Sequence, residues 1–239
     1  DIHYFGDDIK KATFKKKLVQ YALPLTDELI KRINGDPEVD LCVNLGDIIQ
    51  DTQNKEKDLR ALGFMFKRLE RIERRCYSVL GNHDLKMMDS VREVEEILGR
   101  ESTCSTDLGG YHFIFLTTEI RPELGLARGG CYKAQYLSEQ ALKWLKEDLA
   151  RNSLPCILFT HYGLAEDNDI TDECMFMKNR AAVKELIKAD KNVLAVFSGH
   201  QHVTKTLRED GIPYYLVGSM TNRSEESGVP DGVYLELTL

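Results

Sequence analysis

Cys76-Tyr77-Ser78-Val79-Leu80-Gly81-Asn82-His83-Asp84 begins as an apolar, β-favouring run and ends in a glycine followed by three polar residues of metal-ligand or proton-transfer type. The change is abrupt. Glycine at that place lets the chain leave a strand sharply, because it has no Cβ. The same sentence of residues recurs along the chain. Val39 to Leu45 leads into Gly46-Asp47, Pro155 to Thr160 ends at His161, and Val193 to Ser198 leads into Gly199-His200-Gln201-His202. A fifth polar cluster, Asp1-Ile2-His3, opens the sequence. These clusters hold five of the six histidines. The sixth, His112, lies inside the apolar run Tyr111 to Thr117 and reads as structural.

Between the runs lie segments with apolar residues at helical spacing: Thr13 to Ile33, Asp58 to Glu73, Ser138 to Ala150 and Lys178 to Ile187. Pro24 is expected to kink or divide the first of them. Strand alternating with helix predicts an α/β core with much parallel pairing. Past the last helix, Thr204 to Arg208, Pro213 to Val217 and Gly232 to Leu239 read as consecutive strands, so the sheet should finish antiparallel. No repeat, low-complexity tract or Pro/Gly/Ser-rich linker interrupts residues 1–239, which are read as one domain.

Loops at the carboxyl ends of strands in such a sheet share one edge, where side chains distant in sequence converge. Imidazole and carboxylate suit Zn, Fe, Mn and related ions, whereas calcium prefers oxygen alone. Asn82 adds a neutral oxygen. His200 and His202 are two apart, so on extended backbone they would point into one site. Each cluster alone also fits a turn or a satisfied core histidine. Together, at successive strand exits, they point to a metal centre.

Composition narrows the partners. The 239 residues are 42% hydrophobic, enough for a substantial core, and carry a formal charge of -7 from 39 acidic and 32 basic residues. That balance offers no large positive field for gripping nucleic acid. The six cysteines form no C-x-x-C pair and are read mostly as reduced core thiols. No stretch approaches the roughly 20 apolar residues of a membrane span. The expectation is a soluble, cytoplasmic protein with no membrane partner.

The clusters resemble, in order, the motif blocks of the calcineurin-like metallophosphoesterases: D-x-H, G-D, G-N-H-D/E, a histidine after a strand, and G-H-x-H. That resemblance implies a four-layer αββα sandwich with mixed sheets and two transition-metal ions, Mn, Fe or Zn. It implies one metal held by Asp1, His3, Asp47 and His202, and a second by Asp47, Asn82, His161 and His200. Asp47 would bridge. His83 would face the substrate as general acid or as a stabiliser of transition-state charge, with Asp84 hydrogen-bonded to it. Two cations about 3.5 to 4 Å apart can hold a shared hydroxide for in-line attack on phosphorus. In the family the first aspartate ends a buried strand, so a strand is expected ahead of Asp1 in the natural chain.

Departures from the family narrow the branch. Gln50 stands where purple acid phosphatases have a metal-binding tyrosine, and the second aspartate and arginine of the protein Ser/Thr phosphatases are absent from their places. The remaining resemblance is to the enzymes of small phosphodiesters and nucleotides, including cyclic nucleotide phosphodiesterases, glycerophosphodiesterases and ADP-ribose/CDP-alcohol diphosphatases. A phosphomonoesterase is the alternative, and a non-catalytic scaffold of the same fold a third reading, disfavoured because the ligand set and His83 are complete. The irregular segments Thr118 to Tyr136 and Gly163 to Met177 would form substrate walls, with Arg121, Arg128 or Arg180 for a further phosphate and Tyr162 or Phe176 for a base. The acidic run Glu166 to Glu173 disfavours a highly anionic partner.

Overall fold

Alternation along three neighbouring strands divides the core. In β4 (Tyr111–Leu116), β5 (Cys156–Thr160) and β6 (Val193–Ser198), the side chains of Phe113, Phe115, Ile157, Phe159, Ala195 and Phe197 gather in one apolar cluster. Ile114, Leu116, Cys156, Leu158, Val193 and Val196 gather in another. Successive strand residues face opposite sides of a sheet, so a strand buried on both faces feeds two cores. The computed structural model describes residues 1–6, 14, 16–119 and 135–239.

Six strands form one sheet in the order β3 (Cys104–Leu108), β4, β5, β6, β8 (Ile212–Leu216), β7 (Lys205–Glu209). The inner pairs from β4 to β8 are parallel, and β3–β4 and β7–β8 are antiparallel, so the sheet is mixed. β1 (Leu41–Asn44) and β2 (Arg75–Ser78) make a separate parallel ladder, with Tyr4 bridged to Ile49 nearby. Leu41, Val43 and Tyr77 from that ladder, with Val79 directly after it, join the cluster of Phe113 and Phe159, which therefore lies between the two sheets.

Helices close both outer faces. α5 (Glu139–Arg151) and α6 (Arg180–Ala189) cover the six-stranded sheet through Leu145, Leu149, Val183 and Ile187. α1 (Ala22–Gly35), α2 (Lys55–Leu69) and α4 (Arg92–Leu98) cover the two-stranded sheet through Ile30, Leu62, Met65 and Val94. The result is the helix–sheet–sheet–helix sandwich implied by the motifs. No helix among the described residues is long and apolar enough to cross a membrane.

Several local expectations change. The segment expected over 13–33 begins in the described residues as a 3-10 turn at Val19–Tyr21, then α1. Pro24 falls in the first turn of α1, where its missing N–H has no helical partner to lose, so the helix is not divided. The expected strand over 232–239 has no ladder partner among the described residues. Instead the Arg32 guanidinium on α1 binds Glu236 at 3.0 Å and lies 5.2 Å from the Tyr234 ring centroid. β3, α3 (Asn82–Leu85) and α4 were not foreseen. Cys42, Cys76, Cys104 and Cys156 are free, as read, but Cys174 is disulfide-bonded. Cys131 lies outside the described residues. His112 is structural: Nδ1 meets Asp107 at 2.6 Å and Nε2 meets Asp148 at 2.8 Å, tying β4 to β3 and α5.

Across the inter-sheet layer runs an aromatic ladder. Phe115 and Phe159 stack at 5.5 Å between centroids, Phe159 and Phe197 at 5.3 Å, and Phe197 and Tyr215 at 4.8 Å, while Tyr77 of the facing sheet lies on Phe115 at 4.3 Å. Such pairs contribute about 0.5–1.5 kcal/mol each beyond area burial. Phe159→Ala removes the middle rung, and denaturant unfolding of the metal-free protein should show a loss of about 3–5 kcal/mol with little change in m-value.

Candidate metal centre

Four strand exits and the N-terminal residues deliver the candidate ligands. β1 leads to Asp47, β2 to Asn82 and His83, β5 to His161, and β6 to His200 and His202. The β1 and β2 exits touch backbone to backbone. Gly46 has φ +95°, and a Cβ there would lie 2.6 Å from the Gly81 nitrogen and 2.8 Å from His161 Nδ1. A Cβ on Gly81 would collide with Asp47 Oδ1. Glycine is needed at both positions for closeness and at Gly46 also for backbone conformation.

Four candidate ligands are themselves in the left-handed region: His3 (φ 55°), Asp47 (51°), His200 (65°) and His202 (54°). Residues with a Cβ are uncommon there, and each such position costs of order 1–3 kcal/mol unless its surroundings fix it. Hydrogen bonds hold His3, Asp47 and His200 in place. Ile2 and His3 amides both donate to the Asp47 carbonyl at 2.9 and 3.0 Å, the His200 amide donates to Asp1 Oδ2 at 3.1 Å, and the His83 amide donates to Asp47 Oδ1 at 2.9 Å. The left-handed turns also separate His200 from His202. The two were expected to point the same way on extended backbone, but they join different groups.

One group is Asp1, His3, Asp47 and His202, and the other Asp47, His161 and His200, each with donor atoms within 4.8 Å of one another. In the first, His3 Nε2 lies 2.9 Å from His202 Nε2, 3.8 Å from Asp1 Oδ1 and 3.9 Å from Asp47 Oδ2. In the second, His161 Nε2 lies 3.5 Å from Asp47 Oδ1 and 3.2 Å from Asn82 Oδ1, which places the asparagine beside this group. Asp47 thus turns one oxygen toward each.

These residues fit a pair of cations. Asp1 Oδ1 is buried and accepts no hydrogen bond, an expense that a cation would remove. His161 Nδ1 donates to the Leu45 carbonyl at 2.7 Å, leaving the lone pair on Nε2. His200 Nε2 donates to the Cys174 carbonyl at 3.1 Å, leaving the lone pair on Nδ1. Burial, as the largest cause, lowers the pKa of His3, His161 and His200, and takes His202 to about 3, which favours the neutral form that binds metal. Burial opposes ionisation of Asp47, but His161, His83 and Lys17 outweigh it and hold the carboxyl well below the usual range.

His83 sits beside this pair, but its partner is not Asp84. Nδ1 meets Asp51 Oδ2 at 2.6 Å, and Lys86 holds the other Asp51 oxygen at 3.0 Å. Asp84 instead accepts from the Ile49 amide at 3.1 Å and the Gly81 amide at 2.9 Å. It fastens the two loops together, and burial followed by the nearby Asp47 charge pushes its pKa up to about 7. Gln50 and Lys17 also reach the site. Gln50 Nε2 lies 3.0 Å from His83 Nδ1, and Lys17 Nζ lies 3.1 Å from His83 Nε2. Burial lowers the Lys17 pKa to about 8.

The proposed substrate walls fare differently. Arg121 and Arg128 lie outside the described residues. Arg180 is engaged by Glu166 at 2.9 Å and Glu173 at 3.0 Å and lies over the Phe176 ring, so it is not available for a second phosphate. Phe176 is buried under it. Tyr162 is fully buried, its ring 4.4 Å from that of His200. Neither is placed to stack a base.

Two outcomes follow from this geometry. Gly81→Ala should displace the Asp47 carboxylate and lower metal content in both groups, read by elemental analysis of purified protein. The metal-free protein should lose stability as pH falls below about 6.5, because unfolded histidines take up protons there while the buried ones, with depressed pKa, do not. Asp84, with its raised pKa, acts in the opposite direction over the same window, but it is one group against five histidines. Thermal melts with chelator at pH 7.5 and 5.5 check the sign.

The family model for calcineurin-like phosphoesterases matches residues 1–204. A search of the curated proteins finds no match. Among solved structures, a dimetal phosphatase from Danio rerio superposes with a TM-score of 0.73 at 16% identity, covering 96% of this chain and 88% of that one. Phosphopantetheinyl hydrolase from Mycobacterium tuberculosis superposes at 0.54 and 13% identity, over 81% of this chain and 84% of that one. The Thermus thermophilus protein TT1561 superposes at 0.53 and 18% identity, over 83% and 85%. At these identities the likeness is one of fold. Carried by the family match and the convergence of the motif residues, the conclusion is that this chain belongs to the calcineurin-like phosphoesterase family and is a metal-dependent phosphoesterase.

Proposed function

We propose that the chain hydrolyses a small phosphodiester or nucleotide, within the branch of the family that includes cyclic nucleotide phosphodiesterases and ADP-ribose/CDP-alcohol diphosphatases. The observation that supports this reading best is the Asp47 carboxylate, one oxygen toward each ligand group, with His83 beside it and oriented by Asp51. Asp1, His3, Asp47 and His202 would hold one ion and Asp47, Asn82, His161 and His200 the other. Both sheets of residues 1–239 contribute to this set, which favours reading them as one domain. When bound, two Mn, Fe or Zn ions supply Lewis acidity and make a water nucleophilic near neutral pH.

The chain's own residues perform the rest. His83 would face the scissile phosphate with Nε2 outward and, in its imidazolium form, give the Nε2 proton to the departing oxygen while Asp51 holds the proton on Nδ1. Lys86 neutralises Asp51, and the Asp84 carboxyl keeps the β1 and β2 loops in register beneath. Asp84 therefore acts in this reading through position alone. A phosphomonoester is a second reading, favoured by the additional cation Lys17 next to His83.

Hydrolysis of bis(p-nitrophenyl) phosphate and p-nitrophenyl phosphate should be compared on protein stripped with chelator and reloaded with Mn, Zn or Fe. Faster turnover of the diester supports the first reading and faster turnover of the monoester the second. No turnover with any metal would overturn both. His83→Ala, folded and loaded, should lose about 10²–10⁴ in kcat. Asp47→Ala should lose metal from both groups, and retention of two ions per chain would refute the shared-ligand role.

A further inference from the structure

Lys17 belongs to none of the five motif clusters, yet its ammonium is at the centre of the site's outer face. Nζ lies 3.0 Å from Gln50 Oε1, 3.1 Å from His83 Nε2 and 3.4 Å from His3 Nδ1. It is not standing in for a metal. His3 turns Nδ1 to the lysine and Nε2 to Asp1, Asp47 and His202, so the ammonium and the ligand group lie on opposite edges of one ring.

The face it occupies is the open one. The side chains of His3 and His161 have no exposure and that of Asp47 has 2%, whereas His83 and His202 retain 10% and 17%, and Lys17 is partly exposed. The lysine is also held from both sides along its backbone. The Leu18 amide donates to the Thr221 carbonyl at 2.7 Å and the Arg223 amide to the Lys16 carbonyl at 2.7 Å. A cation fixed in this way loses little freedom when it meets an anion.

Its partners are incomplete for a cation. Among the described residues none of its hydrogen-bond partners is a carboxylate, unlike Lys86, Lys184 and Lys205, which pair with Asp51, Glu209 and Asp167. A metal on His3 Nε2 would place that ring's proton on Nδ1, which could then no longer accept from Lys17. One hydrogen of the ammonium would then lose its acceptor and be free to turn to another.

We propose that Lys17 is a substrate-contacting residue whose ammonium binds a non-bridging oxygen of the phosphoryl group presented to His83, and that it favours dianionic phosphomonoester groups over monoanionic diesters. The charge argument is direct: the attraction of one fixed cation scales with the charge on the phosphoryl group, so the dianion gains more. The proposal rests on the metal-dependent phosphoesterase reading and not on which of the two esters the enzyme turns over faster.

Lys17→Met and Lys17→Arg test it, each reloaded with manganese and checked for metal content. Calorimetry with inorganic phosphate reads the contact without turnover. Lys17→Met should keep its manganese, bind phosphate at least about tenfold more weakly, and lose about tenfold more kcat/KM on p-nitrophenyl phosphate than on bis(p-nitrophenyl) phosphate. Lys17→Arg should restore part of the phosphate affinity. Unchanged phosphate affinity in Lys17→Met would overturn the proposal. So would an equal fall on both esters accompanied by loss of manganese, which would mark a structural lysine. If the parent protein binds phosphate through Lys17 but turns over neither ester, the hydrolase reading fails and the contact stands.

Discussion

The position of the Asp47 carboxylate organises the site. Its two oxygens face different ligand groups, one of them also accepts the His83 amide, and its own carbonyl accepts the amides of Ile2 and His3. A residue so loaded cannot shift by much without disturbing both groups. That explains why the surroundings tolerate costly backbone. Gly81 is pressed against the carboxylate, Asp47 itself is left-handed, and three of the histidines around it are left-handed too. Strain of this kind persists only where neighbouring contacts over-determine it, and here the neighbours are one another.

Much of this was legible because parallel strands buried on both faces read as unbroken apolar runs. β6 falls where the run Val193 to Ser198 placed it, and β1, β2, β4 and β5 lie within two residues of theirs. β3 was hidden because it is an edge strand whose Ser105, Thr106 and Asp107 give no apolar signal. The C-terminal segment misled for the opposite reason. Val233, Tyr234, Leu235 and Leu237 look like a strand, but α1 offers Arg32 to Glu236 and Tyr234 rather than a ladder.

Ligand types could be read from sequence and their partners could not. Spacing cannot reveal that His200 and His202 leave the strand through left-handed turns, since two residues apart means a shared face only on extended chain. The resemblance pairs His83 with its neighbour Asp84, but the partner lies across the gap between two loops, at Asp51. Asp51 was visible four residues after Asp47, but nothing local marks which of two acidic residues an imidazole will choose. Lys17 was harder still. It ends a run of lysines outside every motif cluster, and its backbone pairs with residues 221–223.

The division of the sandwich into two sheets has a thermodynamic side. Asp47 and Asn82 leave the two-stranded sheet, whereas His161, His200 and His202 leave the six-stranded one. Any ion shared among them spans the seam along which the halves would slide apart, and a ligand that binds only the closed arrangement adds its binding free energy to that arrangement. The chain's resistance to proteolysis and its catalytic competence then draw on the same supply of metal, so that scarcity would shorten the lifetime of the folded protein as it lowers turnover.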